Sequence, residues 1–424
     1  MRSFLKYFLL IICFTFNIES LVLASGGSPP STKLNTSPEL LEKGKLLFLK
    51  FCAHCHGNRG EGDGFNAEFL DKDPAEFSNP KFLAKRSNEK LFRVISVGGA
   101  KIKKSHLMPP FGYTLSEKEI WSLVSFIRYL GNDKSLVNVP SNVQSERPRK
   151  PVLTKPDMLS FSKWFAEKGK KKEQIDSGKT LVMNKKSCLG CHQLNDEGGR
   201  IGPSLNRSSF NYKPEWLYAW ISNPQNFRPN TKMPNLGLKP EEARAITSFL
   251  ISFQPEEKDG KFEIHEGWKQ YLSSEGDPKR GEKIFHDPEG IANCSKCHLV
   301  KGRGGKIGPD LSFIGTSRTG KFLLESILNP SAVITHGYQT VMILTKNQKL
   351  FTGIKKNEDE SGINIINKEG KNLHISREKI KKFKIQKISA MPGNFKDLLE
   401  IQDIRDVLAY LGSLTLPAIT NSDN

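Results

Sequence analysis

Apolar residues at Ile120, Leu123, Val124, Ile127 and Leu130 recur at the spacing of a helix with one buried face, and Ser116-Glu-Lys-Glu119 ahead of them is a capping box. Two more helical runs, Trp216 to Pro224 and Phe322 to Pro330, both stop at Asn-Pro, because the residue before a proline is pushed out of the helical region. Between Tyr338 and Ser376 the texture changes. Tyr338 to Thr345, Leu350 to Lys355, Ile363 to Asn367 and Asn372 to Ser376 are short β-rich runs, separated by Asn-Gln, Glu-Ser-Gly and Glu-Gly turns. They predict an antiparallel meander or a small SH3-like barrel.

The most apolar stretch, Phe8 to Phe16, follows Arg2 and Lys6 and precedes Val22-Leu23-Ala24, the layout of a cleaved signal peptide over residues 1–24. Asn17, Glu19 and Ser20 interrupt it well short of the ~20 residues of a membrane span. An uncleaved membrane anchor is the alternative. Residues 25–38 are rich in Gly, Ser and Pro and read as a flexible leader, and the Lys-, Pro- and Asn-rich residues 133–172 as a linker, with Phe161, Trp164 and Phe165 available to pack on a neighbour. No other stretch is long and apolar enough to span a membrane, so no transmembrane segment is expected after cleavage.

Loss of residues 1–24 removes Cys13 and leaves six of the seven cysteines, all in one repeated pattern. Cys52-Ala-His-Cys55-His56, Cys188-Leu-Gly-Cys191-His192 and Cys294-Ser-Lys-Cys297-His298 are three copies of Cys-x-x-Cys-His, a c-type haem attachment motif. Two thiols a turn apart can each form a thioether with one vinyl group of a haem, and the adjacent His then faces the iron from the proximal side. A single copy could be half of a zinc site or a redox dithiol. Three copies with like flanks predict three covalently bound haem c groups, with His56, His192 and His298 as iron ligands.

Residues 39–132 resemble a class I cytochrome c: Gly44 and Phe48 precede the first Cys by eight and four residues, Met108-Pro109-Pro110 follows His56, and a capped helix closes the unit. Residues 173–256 and 264–416 repeat one another around their motifs. Pro203 and Pro309 each fall eleven residues after their His, and the resemblance implies that these prolyl carbonyls accept the Nδ1 proton of that His, fixing its tautomer. The first unit has no Gly-Pro at that spacing, which leaves its acceptor open. Residues 281 to 414 also resemble the planctomycete-type haem-binding domain, through the motif, Gly-Pro-Asp-Leu, the helix ending in Asn-Pro-Ser, a β insertion at about 336–388, and Met391-Pro-Gly-Asn-Phe. The resemblances imply a mainly α protein of three cytochrome c-like haem domains in tandem, the third with a small antiparallel β insertion.

Each unit offers one Met followed by Pro and then a helix: Met108, Met233 and Met391. His/Met ligation closes the sixth iron position and suits electron transfer. Met158, Met183 and Met342 lack that context and read as filler. The rival ligands are His106, His336 and His374; His54 is expected to face solvent, and His265 and His286 have no motif around them.

The net charge of +19 is partly offset by the roughly two propionates carried by each haem, and the excess suits acidic partner proteins or an anionic membrane surface rather than nucleic acid. The expectation is a periplasmic tri-haem cytochrome passing single electrons between redox partners of a respiratory chain. Two alternatives share the motifs. One is a haem enzyme with an open distal site, of peroxidase or nitrogen-oxide reductase type. The other is the cytochrome subunit of a membrane-bound quinol-oxidising or dehydrogenase complex.

Overall fold

The computed structural model describes residues 37–133, 137–148, 153–206, 212–253, 266–272, 275–335, 337–359 and 361–415. Residues 1–24, most of the leader, His265 and His336 lie outside the described residues.

The chain is mainly helical, and its helices cross in three pairs. Helix α1 (Pro38–Phe51) opens on Ser37, whose hydroxyl accepts from the Leu40 N–H. After α2 (Asn88–Val97), α3 (Glu117–Leu130) starts with the reciprocal Ser116 and Glu119 cap and packs across α1. The second pair is α5 (Lys172–Thr180) with α7 (Pro240–Ile251), separated in sequence by α6 (Pro214–Ser222). In the third, α8 (Pro278–His286) crosses α10 (Ile401–Ser413), and α9 (Gly320–Leu328) lies between them in sequence. All three crossings use a glycine. A Cβ on Gly44 would lie 1.9 Å from the Ser122 carbonyl oxygen, on Gly178 2.0 Å from that of Ala245, and on Gly281 1.9 Å from that of Asp406. Only a bare Cα allows the backbones this close.

Each pair has its own apolar core. Phe48, Leu123 and Val124 centre the first, Phe161, Val182 and Leu217 the second, and Phe285, Leu324 and Ile404 the third. These interiors are small, and each lies against one Cys-x-x-Cys-His motif: Cys52, Cys188 and Cys294 pack on the edges of the three cores in turn.

The stretch expected as a linker is largely built into two of these cores. Val137 is buried in the first, and Arg147 forms a bidentate pair with Glu119 at 2.8 and 2.7 Å. Helix α4 (Lys155–Trp164) follows, capped reciprocally by Thr154 and Asp157. It places Phe161 in the second core, stacked on Tyr218 with centroids 4.2 Å apart. The polar composition that suggests a linker belongs to the outer face of α4; Phe161 and Trp164 on the helix and Phe165 just after it pack into the second core and decide where it goes.

The insertion forms a five-stranded antiparallel sheet. Its strands are β1 (Thr340–Thr345), β2 (Leu350–Asp359), β3 (Gly362–Ile366), β4 (Asn372–Ser376) and β5 (Ile380–Ile385). They lie in the order β4-β3-β2-β1-β5. The first four are a meander, and β5 returns to pair with β1, Ile343 opposite Phe383. Because alternate strand residues face opposite sides, Ile363 and Ile365 fill one core with Val341, Ile343 and Ile375, while Ile366 joins Ile354 on the other side. Strand β5 was not among the predicted runs. Its sequence, Ile-Lys-Lys-Phe-Lys-Ile, leaves five of six residues exposed, as befits an edge strand guarded by lysines.

Candidate haem sites

The attachment motifs sit where a helix or loop gives way to a single tight turn. Cys52 caps α1 by donating its N–H to the Phe48 carbonyl at 2.8 Å. Each motif His then donates its backbone N–H to the carbonyl of the first Cys of its motif: His56 to Cys52 at 2.9 Å, His192 to Cys188 at 2.8 Å, His298 to Cys294 at 3.0 Å. One turn thus gathers two thiols and an imidazole, three times over. None of these six cysteines is in a disulfide. Burial pushes the thiols of Cys52, Cys188 and Cys191 up to about 12 and that of Cys294 to about 11, which keeps them in the neutral form. Such a donor set fits a thioether-linked haem.

The imidazoles are held from behind. The Nδ1 of His192 lies 2.7 Å from the Pro203 carbonyl oxygen, and that of His298 lies 2.9 Å from the oxygen of Pro309. With Nδ1–H donating there, Nε2 keeps its lone pair for a metal. The first unit solves the same problem with a different residue. His56 Nδ1 lies 3.0 Å from the carbonyl oxygen of Ala75, nineteen residues on, and the ring stacks on Phe77 at 4.6 Å. In the other two units a glycine passes over the ring instead: a Cβ on Gly202 would lie 2.4 Å from His192, and one on Gly308 2.7 Å from His298. Burial lowers the pKa of His56 and of His298, which favours the neutral ring that ligation needs.

Met108, Met233 and Met391 are half-buried and pack on the first, second and third cores. Their backbones are anchored. The Gly99 N–H donates to the Met108 carbonyl at 3.0 Å. Gln225 Nε2 donates to the Met233 carbonyl at 2.7 Å, and the Met391 N–H donates to Ser389 Oγ at 3.1 Å. Trp220 Nε1–H points at the Met233 sulfur, 3.1 Å away, a contact that sequence spacing did not flag.

The described rivals, His106 and His374, are otherwise engaged, as is His286. His106 Nε2 lies 3.1 Å from the Met183 carbonyl oxygen. His374 is exposed on β4 with Nδ1 3.0 Å from Asn364 Oδ1, and His286 Nε2 is 3.1 Å from the Tyr410 hydroxyl. His54, expected to face solvent, is instead half-buried, and burial, reinforced by nearby Lys232, pushes its pKa down to about 3.

Against known proteins, the cytochrome c family model matches residues 41–131 and 175–254. A cytochrome c of Cochliobolus lunatus is 31% identical over 18% of this chain and 93% of its own length. One from Ginkgo biloba is 33% identical over 21% and 83%, and one from Arabidopsis thaliana 28% over 18% and 88%. Among solved structures, a chain of the Kuenenia stuttgartiensis reducing HAO-like protein complex aligns over 50% of this chain and 96% of that chain, at 19% identity and a TM-score of 0.18.

Proposed function

From the premise that the chain belongs to the cytochrome c family, whose haem c is covalently bound, we propose that it is a tri-haem electron carrier built of three tandem haem domains. The observation that carries the count is the threefold recurrence of one arrangement: a Cys-x-x-Cys-His turn, a carbonyl on the Nδ1 of its His, and an anchored Met-Pro loop. The family match covers the first two copies; the third rests on the same geometry around His298.

When bound, haem c supplies a one-electron iron couple. The protein's residues do the rest. Cys52 and Cys55, Cys188 and Cys191, and Cys294 and Cys297 would hold the three groups covalently. His56, His192 and His298 would each present Nε2 to an iron, oriented by Ala75, Pro203 and Pro309. Met108, Met233 and Met391 would close the opposite side and exclude small-molecule ligands. Closed sites of this kind move electrons without binding a substrate at the metal. The partners are then redox proteins, acidic or membrane-bound. Among the described residues no helix is long and apolar enough to cross a membrane. The reading includes export to the periplasm by residues 1–24.

A mass measurement on the purified, denatured protein tests the count. Three haems should remain attached per chain. Fewer than three, in protein matured by a host competent in haem c attachment, would overturn the tri-haem reading.

A further inference from the structure

One side chain bridges the first two attachment motifs. Asn66, ten residues after His56, is fully buried. Its Nδ2 donates to Cys55 Sγ at 3.3 Å and to the Gly190 carbonyl at 3.0 Å, and its Oδ1 accepts the Arg200 N–H at 2.8 Å. Gly190 lies inside the second motif, one peptide bond from Cys191. A Cβ there would lie 2.2 Å from the Leu107 carbonyl oxygen, and one on Gly199 2.8 Å from Asn66 Oδ1, so the approach depends on both glycines. The Met loops meet as well. The Asn235 N–H donates to Thr114 Oγ1 at 2.9 Å, and His106 reaches the Met183 carbonyl.

The third motif has a different neighbour. Ile307, between His298 and Pro309, packs with Ile354 and Ile366 of the sheet, against which Cys297 also lies. Lys356 Nζ donates to the Lys306 carbonyl at 3.0 Å and fixes the sheet there. Contacts from the third unit to the second run through other residues: Lys213 N–H to the Ser317 carbonyl at 3.1 Å, Lys213 Nζ to the Gly315 carbonyl at 2.7 Å, and Arg318 over the Tyr212 ring at 3.6 Å.

Building on the tri-haem reading, we propose that the first two haems form a directly coupled pair bridged by Asn66, and that the β insertion sets the third apart by covering its attachment edge. A thioether sulfur is bonded to the rim of its haem, so Cys55 Sγ, Asn66 Nδ2, the Gly190 carbonyl and Cys191 form a short path of covalent and hydrogen bonds from one rim to the other. The step is a single electron: one ferrous site becomes ferric as its neighbour becomes ferrous, and no bond or proton moves. Asn66 is a positioning and bridging residue; it ligates nothing.

Pulsed dipolar EPR on the fully oxidised wild-type protein reads the arrangement without any activity assay. One interhaem distance should be markedly shorter than the other two. In Met108→His, whose altered signal marks the first haem, that short distance should carry the altered signal. Photoreduction of Asn66→Leu should show severalfold slower equilibration between the paired haems, with three haems still attached and their spectra unchanged. Three comparable distances, a short distance that leaves out the marked haem, or unchanged exchange in Asn66→Leu would each overturn the pairing. A mass showing fewer than three haems would instead overturn the tri-haem reading on which it rests.

Discussion

On the tri-haem reading, Trp220 is placed to tune one haem. Its Nε1–H donates to the Met233 sulfur at 3.1 Å, drawing electron density from the lone pairs that would bind iron. A poorer sulfur donor stabilises the ferric state less, so Trp220→Phe should lower the second haem's midpoint potential and leave the other two in place; potentiometry resolved by haem would detect a shift elsewhere or none. Met108→Ala, Met233→Ala and Met391→Ala should each turn one haem from low-spin to high-spin or water-ligated, and a variant that leaves all three low-spin with unchanged potentials excludes that Met as a ligand. The Cys-x-x-Cys-His turns and the Met-Pro loops were legible as candidates because each is a short local motif. The Ala75 acceptor was not, since any residue offers a carbonyl and only the fold brings that one behind His56. Asn66 was equally silent, its partners at Gly190 and Arg200 being far away in sequence.

At the scale of elements, the three helix crossings share one device. Gly178 lets α5 approach the Ala245 carbonyl, and Gly178→Ala should destabilise the second unit by about 1–3 kcal/mol, the usual range for overpacking. Denaturant unfolding should show a lower midpoint with an unchanged slope; an unchanged midpoint would mean that the helices simply slide apart. Periodicity revealed α3, although the fold buries every residue from Ile120 to Arg128 rather than one stripe, and the Asn-Pro stops revealed α6 and α9. Periodicity missed the order in and just after α4, where burial falls on Phe161 and Phe165 within a lysine-rich stretch. It also missed β5, an edge strand whose stability comes from backbone pairing with β1 rather than from a buried face. The meander itself was readable from turn residues; the partner of its first strand was not, because strand order depends on contacts across the whole insertion.

For the whole molecule, part of the excess positive charge lies on the segments that lead into the Met loops. Lys101, Lys103 and Lys104 are exposed ahead of Met108, and Lys379, Lys381, Lys382, Lys384 and Lys387 are exposed along β5 and the loop to Met391. Charges so placed would draw an acidic partner toward the Met sides, and steering of this kind weakens once the screening length falls to ~8 Å at physiological ionic strength. Electron transfer to the native acceptor should therefore slow as salt rises, and reversing Lys101, Lys103 and Lys104 to Glu should slow it at low salt without altering the haem spectra. A rate flat across ionic strength, with and without the reversals, would point to apolar docking.

The central claim is that the chain carries three closed, low-spin haems and works by moving electrons. A potentiometric titration of the purified protein, followed by visible and EPR spectra, tests it most directly. The expected result is three one-electron reductions per chain, six-coordinate low-spin iron in every oxidation state, and no carbon monoxide binding when fully reduced. A high-spin, five-coordinate haem that takes up carbon monoxide would contradict it and place an open, enzyme-like site in one of the three units.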